Sequence, residues 1–317
     1  MSDAAIRIRN VNKRFGATHA VRDLDLEVPP GSLCGFLGPN GAGKSTTIRM
    51  IMSIIYPDSG AIEVLGGSAL ASKDRIGYLP EERGLYRKMR VGEFLEYIAR
   101  LKGAGRRGEG RTIQQWLESV ELPEVARKRC QELSKGMQQK IQFLAAIIHE
   151  PDLLILDEPF SGLDPVNAEL INRLIGELRR AGKTIILSTH VLHQAEQICD
   201  RIFLINHGVK LLDASLAEIR RAFDPRTIVA EPTNGTLQVE GIDGVVNVRP
   251  IGHDGAVEIM IEEGADPHPI MQTVLGRQPM RRIELRRPTL EDVFVQLVME
   301  DEGAAAAAKA REELGHV

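Results

Sequence analysis

The stretch Gly38-Pro39-Asn40-Gly41-Ala42-Gly43-Lys44-Ser45-Thr46 lies between two readable runs. Before it stands Leu33-Cys34-Gly35-Phe36-Leu37, apolar throughout, which reads as a buried strand. After it stands Thr47-Ile48-Arg49-Met50-Ile51-Met52, which reads as a helix. A strand, a GxxxxGK[ST] loop and a helix in that order make a phosphate-binding unit. The glycines let the backbone curl so that successive N–H groups point inward at phosphate oxygens. The helix start adds unpaired donors and a partial positive charge. Lys44 is placed to reach the β- and γ-phosphates, and the Ser45 hydroxyl to ligate Mg2+. A glycine-rich turn with a stray lysine would not need this strand and helix on its two sides.

Working outward, the 317 residues allow one large domain, or one large and one small. A 43% hydrophobic and 26% charged composition fits a globular protein with a sizeable core. The formal net charge of −4 gives no basic signal for nucleic acid, and none is expected as a partner. Low aromatic content argues against a base-stacking platform. Cys34, Cys130 and Cys199 are far apart, show no metal-type spacing and suit a reducing cytoplasm. The start, Met1-Ser2-Asp3-Ala4-Ala5-Ile6, reads as carrying no secretory leader. No apolar run is long enough to span a bilayer. A membrane role is therefore expected to come through a partner.

Alternation over Ala5 to Val11 and Leu24 to Val28 predicts two strands, with Asn12 to Gly16 breaking into a turn. Strands are expected at Ala61 to Leu65 and Arg75 to Leu79. From Val91, apolar residues recur at helical steps through Phe94, Leu95, Ile98 and Leu101. The glycine- and arginine-rich segment Lys102 to Arg111 reads as an exposed connection. Helices are expected from Ile113, over Ser134 to Ile148, and from Asp164-Pro165 to about Arg180, with Asp as N-cap. Strands fall at Leu153 to Leu156 and Thr184 to Leu187, and a hairpin turns at His207-Gly208. Strands alternating with helices imply an α/β domain with a largely parallel sheet.

Near Asp224-Pro225 the pattern changes to short strands at Thr236 to Glu240, Val245 to Val248, Val257 to Ile261 and Arg282 to Arg286. Helices are expected near Pro269 to Leu275 and from Pro288 to about Met299. The expected organisation is a nucleotide-binding domain over 1–223, with a helical part at about 88–150. A small α+β domain follows over 224–300, then an alanine-rich tail over 301–317.

The second strong signal is Leu153-Leu154-Ile155-Leu156-Asp157-Glu158-Pro159. A buried strand ending in two acids is costly unless they meet a cation or water. Asp157 is placed to hold Mg2+, and Glu158 to polarise a water that attacks the γ-phosphate.

With these pieces in order, residues 5 to about 220 resemble the ATP-binding subunits of ABC transporters. Leu133-Ser134-Lys135-Gly136-Met137 lies where that family has its signature, Leu-Ser-Gly-Gly-Gln. Ser161-Gly162-Leu163-Asp164 matches its D-loop, His190 its switch histidine, and Phe15 the aromatic residue that stacks on adenine. The family's Q-loop glutamine is Glu81 here, a carboxylate that can still ligate Mg2+ but cannot donate as an amide does. The resemblance implies a P-loop NTPase of ABC type, α/β, with a mixed sheet core, an antiparallel β subdomain and a helical signature subdomain.

It further implies that ATP lies between one subunit's loop and the signature helix of a second, in a homodimer or heterodimer. Ser134 and Gly136 would donate to the partner's γ-phosphate, and Asp164 would connect the two sites. Closure and reopening would drive transmembrane permease subunits, placing the chain at the inner face of the cell membrane. Arg287-Pro288-Thr289-Leu290-Glu291-Asp292-Val293-Phe294 resembles the ending of sodium and drug efflux ATPases, which implies export. A soluble ABC-type ATPase acting on ribosomes or DNA, and a nucleotide-sensing module without turnover, are the competing readings.

Overall fold

The computed structural model describes residues 4–82, 84–103, 111–223, 227–235, 237, 239, 241–251, 255–262, 264–286 and 288–302. The chain forms two compact units that divide between Leu216 and Ala217.

The first unit opens with β1 (Ile6–Phe15) and β2 (Thr18–Val28), continues through β3 (Leu33–Leu37) and α1 (Lys44–Ile51), and reaches β4 (Ser59–Val64). Strands β2, β1 and β4 make an antiparallel sheet in that order. Its inward residues Ile6, Ile8, Val11, Leu24 and Leu26 share one core with Phe36 of β3 and Ile48 and Ile51 of α1. The expected turn over Asn12 to Gly16 is strand as far as Phe15, and the turn is Gly16-Ala17. Charged residues interrupt the alternation, but pairing with β2 continues across register shifts. Asp58 accepts from the Arg14 N–H at 2.7 Å and from Lys13 Nζ at 2.7 Å, which satisfies β1 beyond its last pair with β4, Asn12 with Ser59.

The central sheet adds β5 (Ile76–Leu79), β6 (Leu153–Asp157), β7 (Thr184–Thr189), β8 (Arg201–Asn206) and β9 (Val209–Ser215). Its order is β5-β6-β7-β3-β8-β9, parallel except for the last pair. Every residue of β3, β6 and β7 is buried, as a parallel strand covered on both faces requires. Register decides the site. Leu37 pairs with Thr189 and Asp157 with Ser188, so β3, β6 and β7 end side by side. Loops leaving the carboxyl ends of adjacent parallel strands form the ligand crevice of such sheets.

Between β5 and β6 stand α2 (Val91–Leu101), α3 (Ile113–Ser119) and α4 (Lys135–Ile147). Val91, Phe94 and Leu95 are buried on α2, and Trp116 and Leu117 on α3. Trp116 carries Arg111 over its ring at 4.9 Å. Helix α5 (Pro165–Arg180) starts at the expected cap, with Asp164 Oδ1 accepting from the Asn167 N–H at 2.9 Å. Helix α6 (Leu192–Ile198) follows β7, and α7 (Leu216–Ala222) begins at the division between the two units.

The second unit contains β10 (Thr227–Pro232), β11 (Val245–Ile251), β12 (Ala256–Ile261), α8 (Pro267–Arg277), β13 (Met280–Arg286) and α9 (Leu290–Glu302). The sheet is antiparallel with order β11-β12-β10-β13. Strand β10 sits between β12 and β13, which α8 joins, giving a split βαβ arrangement. Ile228, Ala230, Ile259, Ile270 and Val274 form its core. The Thr289 N–H and hydroxyl both meet Asp292 Oδ2, which also accepts from Arg286, and Arg286 reaches Glu258 on β12. Thr289, Asp292 and Arg286 thus fasten the start of α9 to the sheet. Strand β10 was not expected, because Asp224-Pro225 reads as a break just before it. Part of the expected strand at Thr236 to Glu240, the 104–110 part of the basic connection, and the alanine-rich run from Gly303 lie outside the described residues.

Candidate functional site

The loop from Gly38 to Thr46 leaves β3 and enters α1. Gly38 adopts φ +151°, and a Cβ there would stand 2.1 Å from the Ile205 carbonyl oxygen. Gly43 adopts φ +105°, where a Cβ would stand 2.4 Å from the Ala20 carbonyl oxygen. No other residue type fits at either place. Gly43 is also the N-cap of α1 and supplies no side-chain acceptor, so the first-turn N–H groups stay available to a ligand.

Lys44 is buried and donates from Nζ to the carbonyl oxygens of Gly38 at 2.7 Å and Pro39 at 3.0 Å. Burial pulls its ammonium below the usual lysine range, and the charges of Glu158, Asp157 and Glu81 oppose that pull. An open cleft of about 450 Å3 runs along the loop. It is lined by Asn40 to Thr46, with Glu81 beyond β5 and Glu158 beyond β6. That volume is in the range of small-ligand pockets. Lining residues that sequence reading missed are His19 and Arg22 on β2 and His207 at the hairpin turn. Only tertiary pairing reveals them. The Arg22 N–H donates to the Gly208 carbonyl at 2.8 Å, and the Gly208 N–H to the Ala42 carbonyl at 2.9 Å, stitching β2 and the hairpin to the loop.

Asp157, the last residue of β6, is 3% exposed and accepts from Ser188 Oγ at 2.7 Å on Oδ1. Burial pushes its carboxyl above the usual range despite Ser188 and Lys44. Glu158 takes the left-handed conformation at φ +48°. Its Oε1 accepts from the His190 N–H at 3.0 Å and pairs with His190 Nδ1 at 2.7 Å, and its Oε2 accepts from Thr189 Oγ1 at 3.1 Å.

Ser134 caps α4 by accepting from the Met137 N–H at 3.2 Å. Ser134 and Lys135 are exposed, and Gly136 is half-buried, where a Cβ would make ordinary contact with Leu163 at 3.8 Å and Asn167 at 3.9 Å. Ser134, Gly136 and the exposed Asp164 do not line the cleft. The hydrogen bonds from Asn167 hold the Asp164 carboxyl below the usual carboxylate range. Phe15 closes β1 with its ring exposed beneath Lys13 Nζ at 5.5 Å, and it is not among the cleft-lining residues.

A family model described as "ABC transporter" matches residues 21–161. An ABC transporter ATP-binding protein of Bacillus subtilis, YhaQ, is 38% identical over 92% of this chain and 98% of its own length. The chain belongs to the ABC transporter ATP-binding proteins. As a member it is an ATP-binding ATPase subunit. Such subunits work with membrane permease components. No helix among the described residues is long and apolar enough to cross a membrane.

A second model, the C-terminal domain of DrrA1-3-like ATP-binding proteins, matches residues 215–298 of this ABC subunit. Nod factor export ATP-binding protein I of a Rhizobium strain is 37% identical over 94% of this chain and 98% of its own. A solved ATP-binding subunit of an ABC transporter superposes with a TM-score of 0.64 at 31% identity, over 69% of this chain and 93% of that one. The cbiO1 subunit of Clostridium perfringens shares the fold, with a TM-score of 0.57 at 23% identity, over 69% of this chain and 94% of that one.

Proposed function

We propose that this subunit hydrolyses Mg-ATP between two nucleotide-binding chains and thereby powers export through separate membrane-spanning permeases at the inner face of the cell membrane. The observation that carries the reading is the pairing of Glu158 with His190 beside the phosphate loop. Glu158, held as an acceptor, takes the proton of the attacking water, and His190 fixes its orientation and meets the γ-phosphate. The Gly38–Gly43 main chain and Lys44 cradle the phosphates, and Phe15 stacks on the adenine.

Ser45, Asp157 and Glu81 fit a magnesium ion. Asp157 is a buried carboxylate pushed toward neutrality, which a cation would relieve. Among the described residues no group of three or more His, Cys, Asp or Glu could hold a metal unaided. A magnesium ion is commonly held by one or two carboxylates together with substrate phosphates. Bound magnesium supplies charge neutralisation at the β- and γ-phosphates.

The exposure of Ser134, with half-buried Gly136 beside it and neither lining its own cleft, supports a second chain, identical or homologous, whose nucleotide they complete. Asp164 then lies at the junction of the two sites. The Nod factor export relative supports an outward direction. The test is purification of the tagged chain from detergent-solubilised native membranes. A multi-span protein in stoichiometric amount is expected. Ribosomal or chromosomal partners, or recovery in the soluble fraction only, would overturn the reading.

A further inference from the structure

Helix α4 carries two buried glutamines three residues apart, Gln139 and Gln142. That spacing puts both on one side of the helix. Gln139 Nε2 donates to the Pro159 carbonyl at 3.1 Å, and Gln142 Nε2 to the Glu82 carbonyl at 3.0 Å. Pro159 follows Glu158, and Glu82 follows Glu81. One helix therefore holds the main chain one residue beyond each acid of the cleft, where the neighbouring strands β5 and β6 end.

Gln142 is not there for packing alone. Its Oε1 is buried without a partner among the described residues. A buried amide oxygen left unpaired is unfavourable, and an apolar side chain of similar size would avoid that cost. What the amide adds is the bond to Glu82.

We propose that Gln142 is a positioning residue for hydrolysis. By fixing the main chain at Glu82 it sets where the Glu81 carboxylate stands in the cleft. With Gln139 it makes α4 a rigid link between the Ser134 end of the helix and both acids. The inference rests on the reading of Glu81 as a magnesium-side group.

The test is a double-mutant cycle in the full chain, joining Gln142→Leu to Glu81→Gln. The first readout is the Mg2+ concentration that half-stabilises the chain against heat with a non-hydrolysable ATP analogue. The second is kcat against KM for ATP. Gln142→Leu is expected to raise the half-stabilising Mg2+ concentration and lower kcat, each by about 10-fold, as loss of a group behind a metal ligand does. KM for ATP stays within about 2-fold. In the Glu81→Gln background the leucine change adds nothing further. Gln142→Met, which keeps the side chain's length, takes its place in the cycle if the leucine variant does not fold. If Glu81→Gln alone leaves the Mg2+ dependence unchanged, the reading of Glu81 is overturned. If Glu81→Gln shifts it while Gln142→Leu is silent or fully additive, the positioning role of Gln142 is overturned and the reading of Glu81 stands.

Discussion

Glu158 Oε1 is held by His190 twice, by its main-chain N–H at 3.0 Å and by Nδ1 of its ring at 2.7 Å. The two residues are 32 positions apart and meet because β6 and β7 are parallel neighbours whose ends coincide. Glu158 sits in the left-handed region at φ +48°, which costs about 1–2 kcal/mol for a non-glycine residue. Three accepted hydrogen bonds offset that strain and aim the carboxylate. Removing the ring by His190→Ala is expected to lower kcat by about 100-fold or more with ATP affinity retained. Because the two groups act as a unit, adding Glu158→Gln costs little beyond the larger single loss. Steady-state ATPase assays of the three variants check this, and multiplicative losses would contradict it.

Asp157 makes predictions of opposite sign for stability without and with bound Mg2+ and nucleotide. Its carboxyl is pushed above the unfolded-state value of 3.8, chiefly by burial. Its contribution is therefore fully present below that value and is lost as pH rises through the folded-state pKa. Asp157→Asn keeps the shape and removes the buried charge. At neutral pH without nucleotide it is expected to raise Tm by about 2–4 °C, the shift that corresponds to about 1 kcal/mol in a chain of this size. The gain should shrink as pH is lowered toward the unfolded-state value. Added Mg2+ with nucleotide should stabilise the native chain far more than the variant. Thermal melts across pH settle both points.

Two glycines of one loop should respond differently to alanine. At Gly38 a Cβ collides with the Ile205 carbonyl, and at Gly41, with φ +79°, it meets nothing within 4 Å. Gly41→Ala is expected to cost about 1–2 kcal/mol, the backbone term alone. Gly38→Ala adds the clash and is expected to cost about 2–4 kcal/mol in all. Urea midpoints compared at constant slope separate the two.

In the second unit, Asp292 serves the start of α9 and Arg286 at once. Asp292→Ala removes a helix-start acceptor and leaves Arg286 with one carboxylate fewer. The expected loss is about 1–2 kcal/mol. It should appear as faster hydrogen exchange in α9 and β13 with ATP turnover unchanged. Exchange mass spectrometry of the full chain reads it.

What was legible in the sequence was local. The loop, its strand and its helix follow from spacing, Asp164 from capping chemistry, and Ser134 from its place in the signature. The parallel core follows from apolar runs such as Ile185-Ile186-Leu187, too short for helices and bounded by turn residues. What was not legible depends on pairing across the chain. The strand character of Asn12 to Phe15 comes from β2 and Asp58 rather than from its own alternation. Strand β10 follows a proline break and takes its stability from two partners. His19, Arg22 and His207 enter the cleft because β2 and the β8–β9 hairpin are bonded to the loop, and no motif spacing announces that.

The most direct measurement is the ATPase rate of the full chain beside Glu158→Gln, each with its permease partner. Turnover is expected to fall by about 100-fold or more while Mg-ATP stays bound and the variant accumulates as an ATP-held pair of nucleotide-binding chains by light scattering. A variant that hydrolyses ATP at close to the native rate would contradict the assignment of Glu158 as the group that activates water.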